Sequence, residues 1–473
     1  MIQLDLLLLI YSAIVLATVI MVLLDRKEPV KTMAWLLVLF FLPIIGLILY
    51  FFFGQNMRKE RNINRKSVSQ LTKHSMLESV TQHNIALPEA HRELIQLFVN
   101  QNKSLPFKDN SIQIFTHGKQ MFDSLLSDIK QAKKHIHLET YIFEDDELGN
   151  TIADALIEKA HEGLEIRVLY DDVGCWNVHD RFFKRMKKEG VDIHSFMPVL
   201  LPLFTSKINY RNHRKICIID GGIGYIGGMN IADRYVNGTK NQAWRDTHLK
   251  IIGKSVYGLQ RTFLMDWYFM TRKLLKNKKY YPEISPQITN DCLVQIVASS
   301  SASLWPDIMQ GYVKVLNNAR RYVYLETPYF IPTQPILFAI QTAALSGIDV
   351  RIIVPAKGDN FFVDCACRSF LPEVLKAGAK VYYYKEGFNH SKILVSDDML
   401  SSVGSTNIDP RSFENNMEVN AFIYDKSTAQ QIARIVRADM RKSRLISNIN
   451  QIHSKNMFVH LWDSIIRMLS PLL

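Results

Sequence analysis

An internal repeat constrains this chain more than any other feature. His137-Leu-Glu-Thr-Tyr-Ile-Phe143 reappears as Tyr324-Leu-Glu-Thr-Pro-Tyr-Phe330, and Glu162-Gly-Leu-Glu-Ile-Arg-Val168 as Ser346-Gly-Ile-Asp-Val-Arg-Ile352. Asn212-His-Arg-Lys-Ile-Cys-Ile-Ile-Asp220 reappears as Asn389-His-Ser-Lys-Ile-Leu-Val-Ser-Asp397, and Gly227-Gly-Met-Asn-Ile-Ala-Asp-Arg234 as Gly404-Ser-Thr-Asn-Ile-Asp-Pro-Arg411. The four pairs keep their order, so both halves build the same unit. Strand-like runs alternate with helical patterns in each half, which predicts an α/β fold: two tandem units related by pseudo-twofold symmetry. The first unit is expected over residues 108–282 and the second over 283–445. Their junction falls near Arg272–Pro282, a basic stretch containing Tyr and Pro.

The third pair carries the chemistry. His213 and Lys215, and again His390 and Lys392, lead apolar, β-branched runs. Residues two apart on a strand share a face, so each His and Lys should point together into one pocket. Asp220 and Asp397 lie seven residues after their His, an odd spacing that puts them on the opposite face, in a supporting role. A neutral imidazole is a nucleophile toward phosphorus. A second, protonated imidazole delivers a proton to a departing alkoxide. Two ammonium groups neutralise the non-bridging oxygens, and Asn230 and Asn407, just after the strands, supply neutral donors to them. Such a set works on a phosphodiester without metal, because the lysines take the place of cations, so neither metal nor cofactor is expected. The five Cys are odd in number and irregularly spaced, which excludes a disulfide framework and a CxxC-type zinc cluster. Asp145-Asp146 and Asp171-Asp172 read as solvated loop carboxylates.

The first 55 residues are a separate object. Leu4–Leu24 contains one charge, Asp5, and Met33–Phe53 contains none. Each run would span about 31 Å as a helix, the thickness of a bilayer core. The expectation is a two-helix transmembrane hairpin over 1–55. No basic residue precedes the first run and no small-residue cleavage pattern ends it, so it does not read as a signal peptide. Arg58, Lys59, Arg61, Arg65 and Lys66 follow the second run and place both ends of the hairpin in the cytoplasm. Lys and Arg total 57 against 45 for Asp and Glu, a net charge of +12. Residues 1–55 are balanced (Arg26, Lys27, Lys31 against Asp5, Asp25, Glu28), so the excess belongs wholly to the remainder. A basic body suits anionic lipid or nucleic acid. Residues 56–107 read as a polar connector. Met197–Arg211 is an extra apolar loop before the first His motif, with lipid contact a candidate role. Residues 446–473 form an amphipathic tail in which Phe458, Leu461, Trp462, Ile465, Ile466 and Leu469 fall at helical spacing, expected at a membrane interface.

These residues resemble the phospholipase D superfamily. Its His-x-Lys-x4-Asp motif is matched at His213, Lys215, Asp220 and at His390, Lys392, Asp397. The Gly-Ser-x-Asn that follows is intact at Gly404-Ser405-Thr406-Asn407. The first copy reads Gly227-Gly228-Met229-Asn230 and so has one hydroxyl fewer. The resemblance implies phosphate contacts from Asn230, Asn407 and Ser405. It also implies a downstream carboxylate that orients a catalytic His, matched by Glu418 in the second copy and Asp246 in the first. The segment Ala34–Gly54 resembles the membrane segment of bacterial cardiolipin synthases, whose layout is an anchor followed by the duplicated unit. That resemblance implies phosphatidyl transfer between two phosphatidylglycerol molecules through a phosphatidyl-histidine. It also implies a multi-pass protein of the cytoplasmic membrane, with the catalytic units on the cytoplasmic side among anionic lipids. A hydrolase, a transferase using another alcohol and a nuclease share the catalytic set. The apolar runs directly before the units argue against nucleic acid, and two intact motifs argue against an inactive scaffold.

Overall fold

The computed structural model describes residues 2–24, 29–50, 54, 87–199, 209–240, 242–283, 290, 292–448, 452 and 457–470. The basic cluster Arg58–Lys66 and most of the Met197–Arg211 loop lie outside them. The described residues fall into two compact bodies. The first holds α1 (Ile2–Leu24), α2 (Pro29–Phe41) and α3 (Pro43–Leu49). α2 stops where Pro43 removes a backbone donor and disfavours helical geometry at Leu42. Val22, Leu39 and Tyr50 form its small core, and Trp35 meets Tyr50 edge-on at 5.3 Å. Side chains of α1 are described from Leu9 onward, and among the described residues no helix is long and apolar enough to cross a membrane.

The second body opens with α4 (Arg92–Asn102), β1 (Pro106–Phe107), β2 (Asn110–Phe115), α5 (Gly118–Gln131) and β3 (His135–Thr140). Then follow α6 (Glu147–His161), β4 (Glu165–Asp171), α7 (Asp180–Lys188), β5 (Asp192–Phe196), β6 (Ile216–Ile219) and β7 (Ile223–Gly227). α8 (Arg234–Asn237), β8 (Trp244–Arg245), β9 (His248–Gly253) and α9 (Val256–Thr271) close the first half. The second half runs β10 (Leu293–Ser299), α10 (Asp307–Asn318), β11 (Tyr322–Glu326), α11 (Gln334–Leu345), β12 (Asp349–Pro355), α12 (Phe361–Lys376) and β13 (Lys380–Tyr384). It ends with β14 (Phe388–Asn389), β15 (Ile393–Ser396), β16 (Leu400–Gly404), β17 (Glu418–Tyr424), α13 (Lys426–Arg441), β18 (Ser443–Ile446) and α14 (Met457–Leu469).

Among these residues one sheet runs β2-β9-β7-β6-β3-β4-β5 and the other β1-β10-β17-β16-β15-β11-β12-β13-β18. Without its edge strands β1 and β18, the second sheet repeats the first strand for strand. In each, three neighbouring strands toward one side of the sheet are parallel (β3-β4-β5; β11-β12-β13) and the rest antiparallel. The faces follow the two-residue period: Ile216 and Ile218 of β6 enter the core between the sheets, while Cys217 and Ile219 pack under α5 and α6. α9 and α13 fill the layer between the sheets; α10, α11 and α12 cover the outside of the second.

Several expectations change. His213–Lys215 and His390–Lys392 precede β6 and β15 rather than lying on them. The end of the connector belongs to the second half: β1 pairs with β10, and Leu94, Ile95 and Phe98 of α4 enter the core of the second sheet. Asp146 caps α6 by accepting from Gly149 N and also accepts from Asp233 N, and Asp171 is fully buried; neither is a solvated loop carboxylate. The tail helix α14 packs on the protein and buries Ile466 of the expected stripe, leaving Leu461, Trp462 and Ile465 outward.

Candidate active site

The two halves meet through short main-chain ladders, one around each His motif. β8 and β14 pair in parallel, with Phe388 opposite Trp244 and Asn389 opposite Arg245, and His390 N donates to Arg245 O at 2.7 Å. On the other side of the pseudo-twofold, His213 N donates to Met417 O at 2.9 Å and Met417 N to Arg211 O at 2.9 Å. Each His is thus held by backbone of the other half.

The side chains cross over in the same way. His213 Nδ1 lies 3.0 and 3.1 Å from the two carboxylate oxygens of Glu418, and His390 Nδ1 lies 2.7 Å from Asp246 Oδ2. The carboxylate of each copy therefore orients the His of the other. Burial pushes the His213 imidazole down to about 4 and the His390 imidazole down to about 3, and the lysine ammoniums add to the effect. Both rings are neutral at pH 7. With Nδ1–H donated to a carboxylate, each leaves its Nε2 lone pair available. Burial pushes Glu418 and Asp246 upward, but His213 and Lys215 beside the first, and His390 and Lys392 beside the second, outweigh it and keep both carboxyls below the usual range.

Both imidazoles line one cavity of about 630 Å³ together with Asn230 and Asn407. Asn230 accepts from Ile142 N at 3.1 Å and donates to Tyr235 OH, whereas the buried Asn407 Oδ1 has no hydrogen-bond partner among the described residues. Lys215 and Lys392 are buried beneath the site, and each Nζ donates to the carbonyl of its own His at 2.6 Å. Burial lowers both ammoniums, Lys392 to about 8.

The remaining motif residues do other work. Asp220, at φ 52°, accepts the backbone N–H groups of Lys133, Lys134 and His135, which ties the end of β6 to the start of β3. Asp397, at φ 56°, does the same for Arg320, Arg321 and Tyr322. Neither lines the cavity. Ser405 is fully buried and does not line the cavity: its hydroxyl donates to Glu418 Oε2 and accepts from Val419 N at 3.0 Å. Its counterpart is Gly because a Cβ there would sit 2.2 Å from Asp246 Oδ1. Each copy seats its carboxylate differently, with a hydroxyl donor under the longer Glu and bare backbone under the shorter Asp.

A further layer follows the twofold. Asn212 donates to Glu139, and Asn389 to Glu326 at 3.4 Å. Burial raises both Glu, Glu139 well above the usual range and Glu326 up to about 8, with a second carboxyl (Asp266 and Asp439) alongside. Arg214 pairs with Asp266 and Arg245 with Asp439. Asp171 pairs with Arg211 at 3.2 Å and accepts Asn212 N at 2.8 Å. Motif spacing did not single out these residues as site groups, nor Tyr141 and Tyr329, which sit 5.1 Å from His213 and 6.5 Å from His390, ring to ring. The signal was present, since the Leu-Glu-Thr repeat holds Glu139, Tyr141, Glu326 and Tyr329. Among the described residues no cluster fit to hold a metal ion occurs.

The model of the "Cardiolipin synthase, PLD-like domain" family matches residues 125–267 and 312–440. The chain is 40% identical over 472 residues to the major cardiolipin synthase ClsA of Bacillus subtilis, covering 97% of each, and 39% identical over 464 residues to a cardiolipin synthase of Listeria monocytogenes serotype 4b, covering 96% of this chain and 95% of that one. The chain belongs to the cardiolipin synthase family of the phospholipase D superfamily. Residues 8–55 match a second family model, "Phospholipase_D-nuclease N-terminal". In fold, the chain is similar to phosphatidylserine synthase of Haemophilus influenzae (TM-score 0.61, 15% identity, 80% of this chain and 100% of that one) and to polyphosphate kinase of Porphyromonas gingivalis (TM-score 0.51, 16% identity, 76% and 52%).

Proposed function

We propose that the chain transfers a phosphatidyl group from one phosphatidylglycerol to a hydroxyl of another, giving cardiolipin and glycerol. The observation that carries this reading is the convergence of two crossed His–carboxylate pairs on one cavity. His213 Nε2 attacks phosphorus and the P–O bond to glycerol breaks, while His390 gives its proton to the departing oxygen. The negative charge of a bound phosphodiester raises His390 so that it enters the complex protonated. Glu418 then faces the positive ring of a phosphatidyl-His213. In the second step His390 accepts the proton of the incoming lipid hydroxyl, the P–N bond breaks and His213 returns neutral. Asn230, Asn407 and the two lysines hold the non-bridging oxygens; the orphaned Asn407 Oδ1 leaves that amide free to turn toward a ligand.

Purified full-length protein in phosphatidylglycerol vesicles, with lipids resolved by chromatography, tests the reaction. Cardiolipin with released glycerol supports it. Phosphatidic acid alone identifies a hydrolase, and a new headgroup appearing only with another added alcohol identifies a different transferase. Radiolabelled donor assigns the nucleophile: label retained on His390→Ala and absent from His213→Ala is expected, and the reverse overturns the assignment. Residues 1–55 act as a two-helix membrane anchor with both ends in the cytoplasm, a reading supported by their apolar runs and flanking charge. Labelling of single Cys residues placed at positions 27 and 60 in right-side-out cells tests it: position 27 is expected to react and position 60 to be shielded.

A further inference from the structure

α14 is mounted the opposite way round from an ordinary surface helix. Its charged residues face the protein: the buried Asp463 lies 3.5 Å from Arg368, and Arg467 pairs with Glu373, donates to Ser369 O at 3.2 Å and covers the Phe370 ring at 4.4 Å. Apart from the buried Ile466, its described large apolar side chains face outward, with Met457 76%, Leu461 59% and Met468 82% exposed. A helix stabilised only by water and its neighbours would be turned about its axis.

The pairings ascend together, from Asp463 with Arg368 to Arg467 with Glu373, so α14 runs parallel to α12. The N-terminal end of α14 therefore lies toward the start of α12. There Phe361 and Phe362 are 63% and 48% exposed, and the adjoining Asp359, Asn360 and Val363 line the catalytic cavity. Exposed apolar side chains thus stand beside the cavity lining, at Phe361 and Phe362, and on the outward side of α14, and together they make an apolar strip. Exposed Lys357 stands at the same mouth, placed for an anionic headgroup.

We propose that this strip is a second, monotopic membrane contact, seated at the headgroup–acyl boundary of a lipid bilayer so that the cavity opens directly onto the membrane. The inference rests on the phosphatidyl-transfer reading. The cavity, about 630 Å³ and lined by Tyr, Trp and Ile side chains as well as His, Asn, Arg and Asp, is too small to hold the two acyl chains of a phosphatidyl group, which must emerge at the mouth. An apolar strip beginning there lets the chains remain in lipid while the headgroup is bound. An interfacial helix with one apolar face has the chemistry for this.

The five native Cys are buried, so a nitroxide can be placed selectively on full-length Met468→Cys, with Lys184→Cys on exposed α7 as the aqueous reference. In vesicles of phosphatidylglycerol and phosphatidylcholine, the ratio of oxygen to nickel-chelate accessibility is expected to be at least fivefold higher at position 468 than at 184. Equal ratios overturn the proposal. So does spin–spin broadening at 468 that vanishes on dilution with unlabelled chain, because a second copy would then cover the strip. The functional arm is Leu461→Ser/Ile465→Ser/Met468→Ser in the full chain. It is expected to raise the phosphatidylglycerol mole fraction at half-maximal rate about fivefold, a larger change than in kcat; an unchanged value overturns the proposal. Accessibility is read without turnover, so it stands or falls separately from the cardiolipin assay.

Discussion

Replacing Gly228 by Ser would make the first copy match the Gly-Ser-x-Asn of the second, and it should disable the enzyme. A Cβ at position 228 would lie 2.2 Å from Asp246 Oδ1 and 2.7 Å from Oδ2, where ordinary contact begins at 3.4 Å. The carboxylate must retreat by 1.2 Å (3.4 − 2.2) along the shorter line. Its hydrogen bond to His390 starts at 2.7 Å, so a retreat of that size breaks it. A hydrogen bond to a charged group is worth about 1.5–3 kcal/mol, which corresponds to roughly a 10- to 150-fold loss of rate. The second copy shows why Ser works there. Glu418 is one methylene longer and reaches His213 while standing off from the Ser405 hydroxyl that holds it. The double substitution Gly228→Ser/Asp246→Glu rebuilds that arrangement and should recover about tenfold of the loss. The assay is cardiolipin formed per unit of folded protein, with folding checked by thermal denaturation. A Gly228→Ser enzyme within threefold of wild type, or a double variant no better than the single one, would refute the reasoning.

Two buried glutamates should respond unequally to the same change. Glu326 is held protonated by burial, so Glu326→Gln should cost less than about threefold in rate, whereas the ionised Glu418 should lose at least tenfold on conversion to Gln; kcat of the two variants decides it. Anion binding should draw protons into the site. Lys392 sits at about 8 and rises when a phosphodiester binds beside it, so protons are taken up where the pH lies between the two values, from about 8 upward. Calorimetry of glycerophosphoglycerol binding, in buffers of different ionisation heat, should show proton uptake at pH 6, where His390 gains its proton, and again at pH 9, where Lys392 does; a heat independent of buffer at either pH would contradict it. Asp220→Ala should act on stability, because three backbone N–H groups depend on its carboxylate. At about 1 kcal/mol each, the loss approaches 3 kcal/mol, visible as a lower denaturation midpoint. Acid should also destabilise the fold. His213 and His390 have folded values of about 4 and about 3, below the ordinary 6.5, so the unfolded chain binds more protons as pH falls below 6.5. The midpoint should therefore drop between pH 6.5 and 4, and His390→Asn should flatten that slope.

The repeat was legible because duplication writes the same unit twice, and strand order then repeats position for position. The meeting of both His in one pocket followed from that symmetry. What the sequence did not carry was which atoms cross the twofold axis. Glu418 lies 205 residues from His213, and 13 from the Ser405 that holds it, so no local spacing announces the pair. Asp171 looked like one of two loop carboxylates after a strand. It is buried because Arg211, forty residues away, lies against it and makes that burial tolerable. The tail's apolar stripe was visible, but its orientation depends on Arg368 and Glu373 of another helix, which turn its charged side inward.

The crossing has a consequence for how the work is divided. Neither copy contains a complete His–carboxylate pair of its own, so each half needs the other for a fixed tautomer, and the chain behaves as two subunits fused into one. Fusion frees the halves to differ, which identical subunits cannot do. They differ at the carboxylates: His213 faces a Glu held by Ser405, with its side chain 12% exposed, whereas His390 faces an Asp set against bare backbone, with its side chain 7% exposed. The more open imidazole suits attack on an incoming phosphorus. The more enclosed one, against the shorter and closer carboxylate, suits passing one proton out and taking one back. An enzyme whose two steps reverse each other's proton transfer gains from two unlike sites on one pseudo-symmetric frame.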